Sequence, residues 1–201
     1  NIWGGRLYKP LTDFFTKHTD VDIFCLQEVR TSSSSYFNPH NKQLSFSEIR
    51  DVLKNHRGYH APAVTYPGNF DHGLAIFVKS NIKIQKEGNV FVFKERIYYK
   101  FEEEIPKDPS NNPRPLQYIQ FALGKKNFIV ANLHGLWNPA GKIDLPERLE
   151  QSRKTREFLD AIGGAKILCG DFNLLPKTES LKILETGMKN LVLDLRGNGG
   201  G

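Results

Sequence analysis

The 201-residue chain is 39% hydrophobic and carries 14 Phe and 7 Tyr, which excludes a disordered protein and suits one domain with a substantial core. No apolar run approaches the length of a membrane-spanning helix. A formal charge of +6 and a pI near 9.2 lean toward anionic partners such as nucleic acid or phospholipid surfaces.

The chain opens on Asn1-Ile2-Trp3-Gly4, without Met, and reads as the cut end of a strand. Residues 8–18 set Leu11, Phe14 and Phe15 on one face of a helix. Residues 21–29 form a buried strand whose apolar run breaks at Gln27-Glu28. Residues 31–41, rich in Ser and Asn, read as a loop, and 46–55 as a short helix carrying Phe46, Ile49, Val52 and Leu53 inward. Strands are expected over 59–65 and 73–78, separated by a Pro67-Gly68-Asn69 turn. Residues 90–101 are β-rich, and the charged, Pro- and Asn-rich stretch 102–115 reads as a hairpin loop. Residues 116–123 and 127–133 flank Gly124-Lys125-Lys126 as a hairpin. An amphipathic helix over 147–162 uses Leu149, Phe158, Leu159 and Ile162. Ile167 to Gly170 then close a buried strand, followed by a helix over 178–186 and a short strand over 191–195.

No repeat or linker divides the chain, so one domain spans 1–195, with 196–201, Arg-Gly-Asn-Gly-Gly-Gly, as a flexible tail. Strands in meanders mixed with a few helices give an α/β protein with a sheet-on-sheet core. Both ends are expected to be incomplete. Cys25 and Cys169 sit in apolar runs and read as buried thiols of a reducing compartment or as small core residues. A cytoplasmic monomer is expected, with export left open by the missing start.

Polar groups close the apolar strands. Asp171 and Asn173, after Gly170, leave their strand side by side, since residues two apart in extended backbone point the same way. An Asx-turn, with both bonding their own backbone, is the competing reading. Glu28 closes another run, where a carboxylate needs solvent or a cation. Residues 128–133 run into His134, with Asn138 close behind. Asn1 and Asn138 also read as turn residues, and His134 as a satisfied structural histidine. Together the carboxylates, amides and one histidine form a hard-oxygen set suited to Mg²⁺ or Mn²⁺ rather than a zinc cage. No phosphate-binding Gly-rich loop and no nucleophile elbow appears.

Leu26-Gln27-Glu28, Asn132-Leu133-His134-Gly135 and Gly170-Asp171-Phe172-Asn173, in this order with Asn1-Ile2-Trp3-Gly4 ahead of them, resemble the signature motifs of the endonuclease/exonuclease/phosphatase superfamily. That superfamily includes pancreatic-type deoxyribonucleases, apurinic endonucleases, deadenylases, neutral sphingomyelinases and inositol-polyphosphate phosphatases. Gly73 to Phe77 resembles its central strand. The resemblance implies a DNase I-like four-layer α/β sandwich, two packed mixed β-sheets flanked by helices. It implies Glu28 as principal Mg²⁺ ligand with Asn1 beside it, and Asp171 orienting and deprotonating the attacking water. It further implies Asn173 bonding the phosphate or that water, His134 donating to a non-bridging oxygen or moving a proton, and Asn138 as a further phosphate contact. Arg30 and Arg6 are loop-side cations that meet phosphates or lie solvated at the surface.

The chain departs from the family pattern in lacking the closing Ser-Asp-His. All six histidines (His18, His40, His56, His60, His72 and His134) precede Asn173, and Asp194 follows it without a histidine. A nuclease cleaving DNA or RNA is the first expectation, supported by the positive charge and by Arg96-Ile97-Tyr98-Tyr99-Lys100, which reads as a base-stacking stretch or as an ordinary strand. Trp3 resembles the sphingomyelinase-like and bacterial-type branches. The alternatives are therefore a sphingomyelinase-like or small-molecule phosphoesterase, with a phospholipid or phosphorylated small molecule as substrate, and a catalytically silent phosphate- or nucleic-acid-binding module.

Overall fold

A computed structural model describes residues 1–32 and 42–189. Most of the loop expected at 31–41, the strand at 191–195, Asp194 and the tail at 196–201 lie outside the described residues. The first strands are β1 (Ile23–Arg30), β2 (His56–Tyr66), β3 (Phe70–Lys79) and β4 (Ile84–Phe93). β5 (Ile97–Tyr98), β6 (Arg114–Leu123), β7 (Lys126–His134) and β8 (Ala165–Asp171) follow. The helices are α1 (Tyr8–Lys17), α2 (Phe46–Val52), α3 (Pro146–Ala161) and α4 (Glu179–Glu185).

The strands form two mixed sheets, ordered β1-β3-β2-β5 and β4-β6-β7-β8. Antiparallel pairing dominates, with β2–β5 and β7–β8 parallel. β3 is buried over six successive residues, Gly73 to Val78, because it lies between β1 and β2 in its sheet and between helices and the other sheet across it. Ile76 and Val78 of β3 meet Ile119, Phe121 and Val130 of the second sheet, and each buried aliphatic side chain contributes about 1.5–3 kcal/mol. α1 and α2 cover the outer face of the first sheet through Phe15, Ile49 and Leu53 against Phe24, Leu26 and Phe77. α3 and α4 cover the second through Leu159, Leu181 and Leu184 against Leu116, Ile129 and Leu133. The expected four-layer α/β sandwich is thus observed. Among the described residues no helix is long and apolar enough to cross a membrane.

Four local expectations need correction. The stretch at 102–115 is not a hairpin loop. β5 and β6 belong to different sheets, so it crosses between them, and its last two residues, Arg114 and Pro115, already stand in β6. β8 is not a fully buried strand: it lies at a sheet edge among the described residues, and Ile167 is 47% exposed. Cys25 and Cys169 are accordingly half-buried. α3 buries Arg148, Gln151, Ser152, Thr155 and Arg156 beside Leu159. Its inner face is polar because it holds loops: Arg148 donates to the carbonyls of Leu136, Gly141 and Ile143, which fixes the segment after β7.

Candidate active site

Three strand ends meet at one mouth of the sandwich. β1 does not stop at Glu28 but bulges there: its register against β3 shifts between Gln27 and Val29, and Glu28 adopts φ 60°. The bulge re-aims the side chain away from normal strand alternation, and a non-glycine residue in that backbone region carries strain of about 1–3 kcal/mol. Gln27 keeps its inward direction and donates to Asn132 Oδ1 at 2.6 Å. The Ile2 N–H bonds Gln27 O at 3.0 Å, which lays the first residues alongside the bulge.

β7 and β8 run parallel, with His134 and Asp171 as their last register pair. Gly135 passes so close to the next turn that a Cβ on it would lie 1.9 Å from Phe172 O, and its N–H donates to Asp171 O at 2.7 Å. Asn173, at φ 52°, donates from its backbone to Asp171 Oδ1 at 3.1 Å and from Nδ2 to Gly135 O at 3.1 Å. The two strand ends are therefore stitched to each other.

Asn1 joins the two sheets. Its Nδ2 donates to Glu28 Oε1 at 2.8 Å and to Asp171 Oδ2 at 3.1 Å, while its Oδ1 accepts from Trp3 N at 2.9 Å. His134 Nε2 stands 3.9 Å from Glu28 Oε1, and Arg114 Nη1 lies 3.4 Å from His134 Nδ1. Arginine can only donate, so Nδ1 accepts and Nε2 carries the proton that faces Glu28. Burial, reinforced by Arg114 and then His72, holds His134 well below the ordinary histidine range, so it is neutral near pH 7 and forms no ion pair with Glu28. Burial likewise lowers His72 to about 3 and Arg114 to about 10, which leaves Arg114 charged at neutral pH. Glu28 and Asp171 favour that charge. Arg114 Nε is buried without a hydrogen-bond partner, and Arg114, His72 and His134 line a cavity of about 20 Å³.

The model of the Endonuclease/Exonuclease/phosphatase family matches residues 1–200. The chain belongs to the endonuclease/exonuclease/phosphatase family. Among relatives of this family, Arabidopsis thaliana carbon catabolite repressor protein 4 homolog 6 is 27% identical over 187 residues, 88% of this chain and 22% of that protein. The chain therefore spans about a fifth of that relative's length. A mannosyl-6-phosphatase from Bacteroides thetaiotaomicron superposes with a TM-score of 0.61 at 21% identity, over 92% of this chain and 62% of that one. ANGEL2, a 2′,3′-cyclic phosphatase, superposes with a TM-score of 0.60 at 21% identity, over 92% of this chain and 48% of that one. At these identities the structures share the family fold, and their substrates differ.

Of the residues singled out in sequence, the fold brings Asn1, Glu28, His134 and Asp171 into one cluster, with Asn173 beneath it. Asn173 is 7% exposed and spends its amide on Gly135, so it positions Asp171 and the strand end rather than facing outward. Asn138 is a turn former, its Oδ1 accepting from Ala140 N at 2.9 Å. Arg30 is not a solvated loop cation: it is buried, donates to Gln43 Oε1, and its guanidinium packs against Gly4. Arg6 is exposed and sits 4.8 Å over Trp3. Arg114 was missed because it falls in the stretch read as a loop, and His72 because it was counted only among the histidines that precede Asn173. An arginine just ahead of the β-rich run Leu116 to Leu123 was the available signal for the first.

Proposed function

We propose that the chain is a metal-dependent phosphodiester hydrolase acting on nucleic acid. The observation that carries this reading is the Asn1 amide held between Glu28 and Asp171, carboxylates of two different sheets. Among the described residues no three His, Cys, Asp or Glu form a metal cage. Two carboxylates and an amide nonetheless suit Mg²⁺ or Mn²⁺, hard ions that keep several waters and take few protein ligands. Glu28 would hold the ion with Asn1 beside it, and the bound ion supplies positive charge to a phosphoryl oxygen and to the leaving oxygen. In this structure Asn1 turns its nitrogen to the carboxylates, so ligation through Oδ1 gives up the Trp3 bond.

Asp171 orients and deprotonates the attacking water, its two oxygens fixed by Asn173 N–H and Asn1 Nδ2. Neutral His134 donates its Nε2 proton to a non-bridging oxygen, and Arg114 stands behind it as the buried cation. Nucleic acid is favoured over other phosphodiesters by the +6 charge and by Tyr98, 62% exposed with the Arg96 guanidinium 4.6 Å from its ring, which suits base stacking.

The test is cleavage of labelled DNA and RNA oligonucleotides at low salt with Mg²⁺ or with EDTA. Cleavage that stops in EDTA and in Glu28→Gln is the expected result. Equal rates in Glu28→Gln would remove Glu28 from the metal site. Oligonucleotide binding without cleavage would overturn the hydrolase reading, and hydrolysis of sphingomyelin or a sugar phosphate instead would overturn the nucleic-acid assignment.

A further inference from the structure

Packed sheets stand about 10 Å apart, and closer where the facing side chains are small. β1 and β8, from different sheets, come within 8 Å, Cα to Cα. Each carries one free cysteine, Cys25 and Cys169. Strand alternation aims both into the space between the sheets. Cys25 lies two residues before Gln27, whose amide reaches across to Asn132, and Cys169 is the cross-strand partner of Asn132. Both thiols pack on the inter-sheet cluster of Ile76, Val78 and Ile119. Cys169 Sγ donates to Ala131 O at 3.4 Å, and the neighbouring Cys169, with burial, raises the Cys25 thiol, as expected of two thiols side by side.

We propose that Cys25 and Cys169 are an oxidation site, closing a reversible disulfide between the two sheets with a small disulfide as co-reactant. A disulfide needs Cα atoms about 4.4–6.8 Å apart, and sandwiches bridge facing strands of opposite sheets in this way. One protein thiolate attacks the small disulfide, forming a mixed disulfide and releasing one small thiol. The other protein thiol, deprotonated, attacks the mixed disulfide, so the Cys25–Cys169 bond forms and the second small thiol leaves. The protein loses two electrons and two protons, and the reagent takes them up as two thiols. Glu28 lies three residues beyond Cys25 and Asp171 two beyond Cys169, so the bond ties together the strands that carry the two carboxylates.

The experiment incubates the native protein with oxidised glutathione, unfolds it, and counts thiols and mass. The expected result is two free thiols falling to none, a mass lower by two hydrogens, no glutathione adduct and no linked dimer, all reversed by dithiothreitol. Cys25→Ser is expected to accept a glutathione adduct at Cys169 that wild type resolves. Two surviving thiols, a stable glutathione adduct on wild type, or a disulfide between chains would overturn the proposal. None of these readouts requires hydrolysis, so their failure and that of the hydrolase reading are told apart.

Discussion

Asn132→Ala tests whether the site rests on a polar tie between the sheets. Asn132 is fully buried; its Oδ1 accepts from Gln27 Nε2 at 2.6 Å, and its Nδ2 donates to Leu26 O at 3.0 Å and Ala75 O at 3.3 Å. The Gln117 contact at 3.5 Å is too long to add much. Gln27 Nε2 keeps Cys25 O at 3.2 Å, so it is not orphaned. Three bonds at about 1 kcal/mol each, plus the cost of carbonyls left short of a donor, give a loss of roughly 3–5 kcal/mol. With a urea m-value near 2 kcal/mol/M, the unfolding midpoint falls by about 2 M. Equilibrium urea unfolding followed by tryptophan fluorescence measures it. A midpoint within about 0.3 M of wild type would refute the reasoning. A Gln27→Met, Asn132→Ala cycle should return a coupling of about 1 kcal/mol, and zero coupling would mean the 2.6 Å bond carries nothing.

Asp171→Asn keeps acceptors for one of its two donors and should lower hydrolysis by about 10²–10⁴-fold with a nearly unchanged thermal midpoint; unfolding instead would make Asp171 structural. Glu28→Gly relieves the φ 60° strain and should stabilise the fold by about 1 kcal/mol while abolishing metal-dependent turnover; a destabilised variant would refute the strain argument. Acid should weaken the fold. His72 and His134 are depressed below 6.5, His72 to about 3, so below about pH 6.5 the unfolded chain binds more protons than the folded one. Stability is therefore full above that pH and falls toward pH 3, by up to about 1.4 kcal/mol per pH unit for each histidine; flat urea midpoints between about pH 7 and 5 would contradict it.

The polar residues that end apolar runs were legible in sequence because carboxylates and amides are expensive to bury, so Glu28, His134 and Asp171 stand out against Phe24, Val130 and Leu168. Their convergence was not legible. Glu28 and Asp171 come from different sheets, and no local pattern records which sheet a strand joins. The same limit hid the edge position of β8, since an apolar run reads alike at an edge and in the middle until its neighbours are known. Arg148 escaped because its burial comes from three carbonyls of a distant-looking loop, not from the helix pattern. Arg114 escaped because Pro113 and Pro115 made its surroundings look like a turn, although Pro115 stands at the start of β6, where ladder donors matter least.

The interface between the sheets grades in polarity from core to mouth, and that gradation explains why the site sits where it does. Along β1 the inward residues are Ile23, Cys25 and Gln27, ahead of Glu28; along β7 they are Val130, Asn132 and His134; β8 adds Cys169 and Asp171. Each step is more polar than the last: the amides Gln27 and Asn132 are buried, Glu28 is a quarter exposed by its side chain, and Asn1 is exposed. A carboxylate two residues deeper would need a buried counter-charge, and an aliphatic pair two residues further out would leave the mouth without ligands. The amides Gln27 and Asn132 mediate because each can satisfy donors and acceptors on both sheets without carrying charge. They fix the register of one sheet against the other, and it is this register that brings Glu28 and Asp171 to the same amide of Asn1.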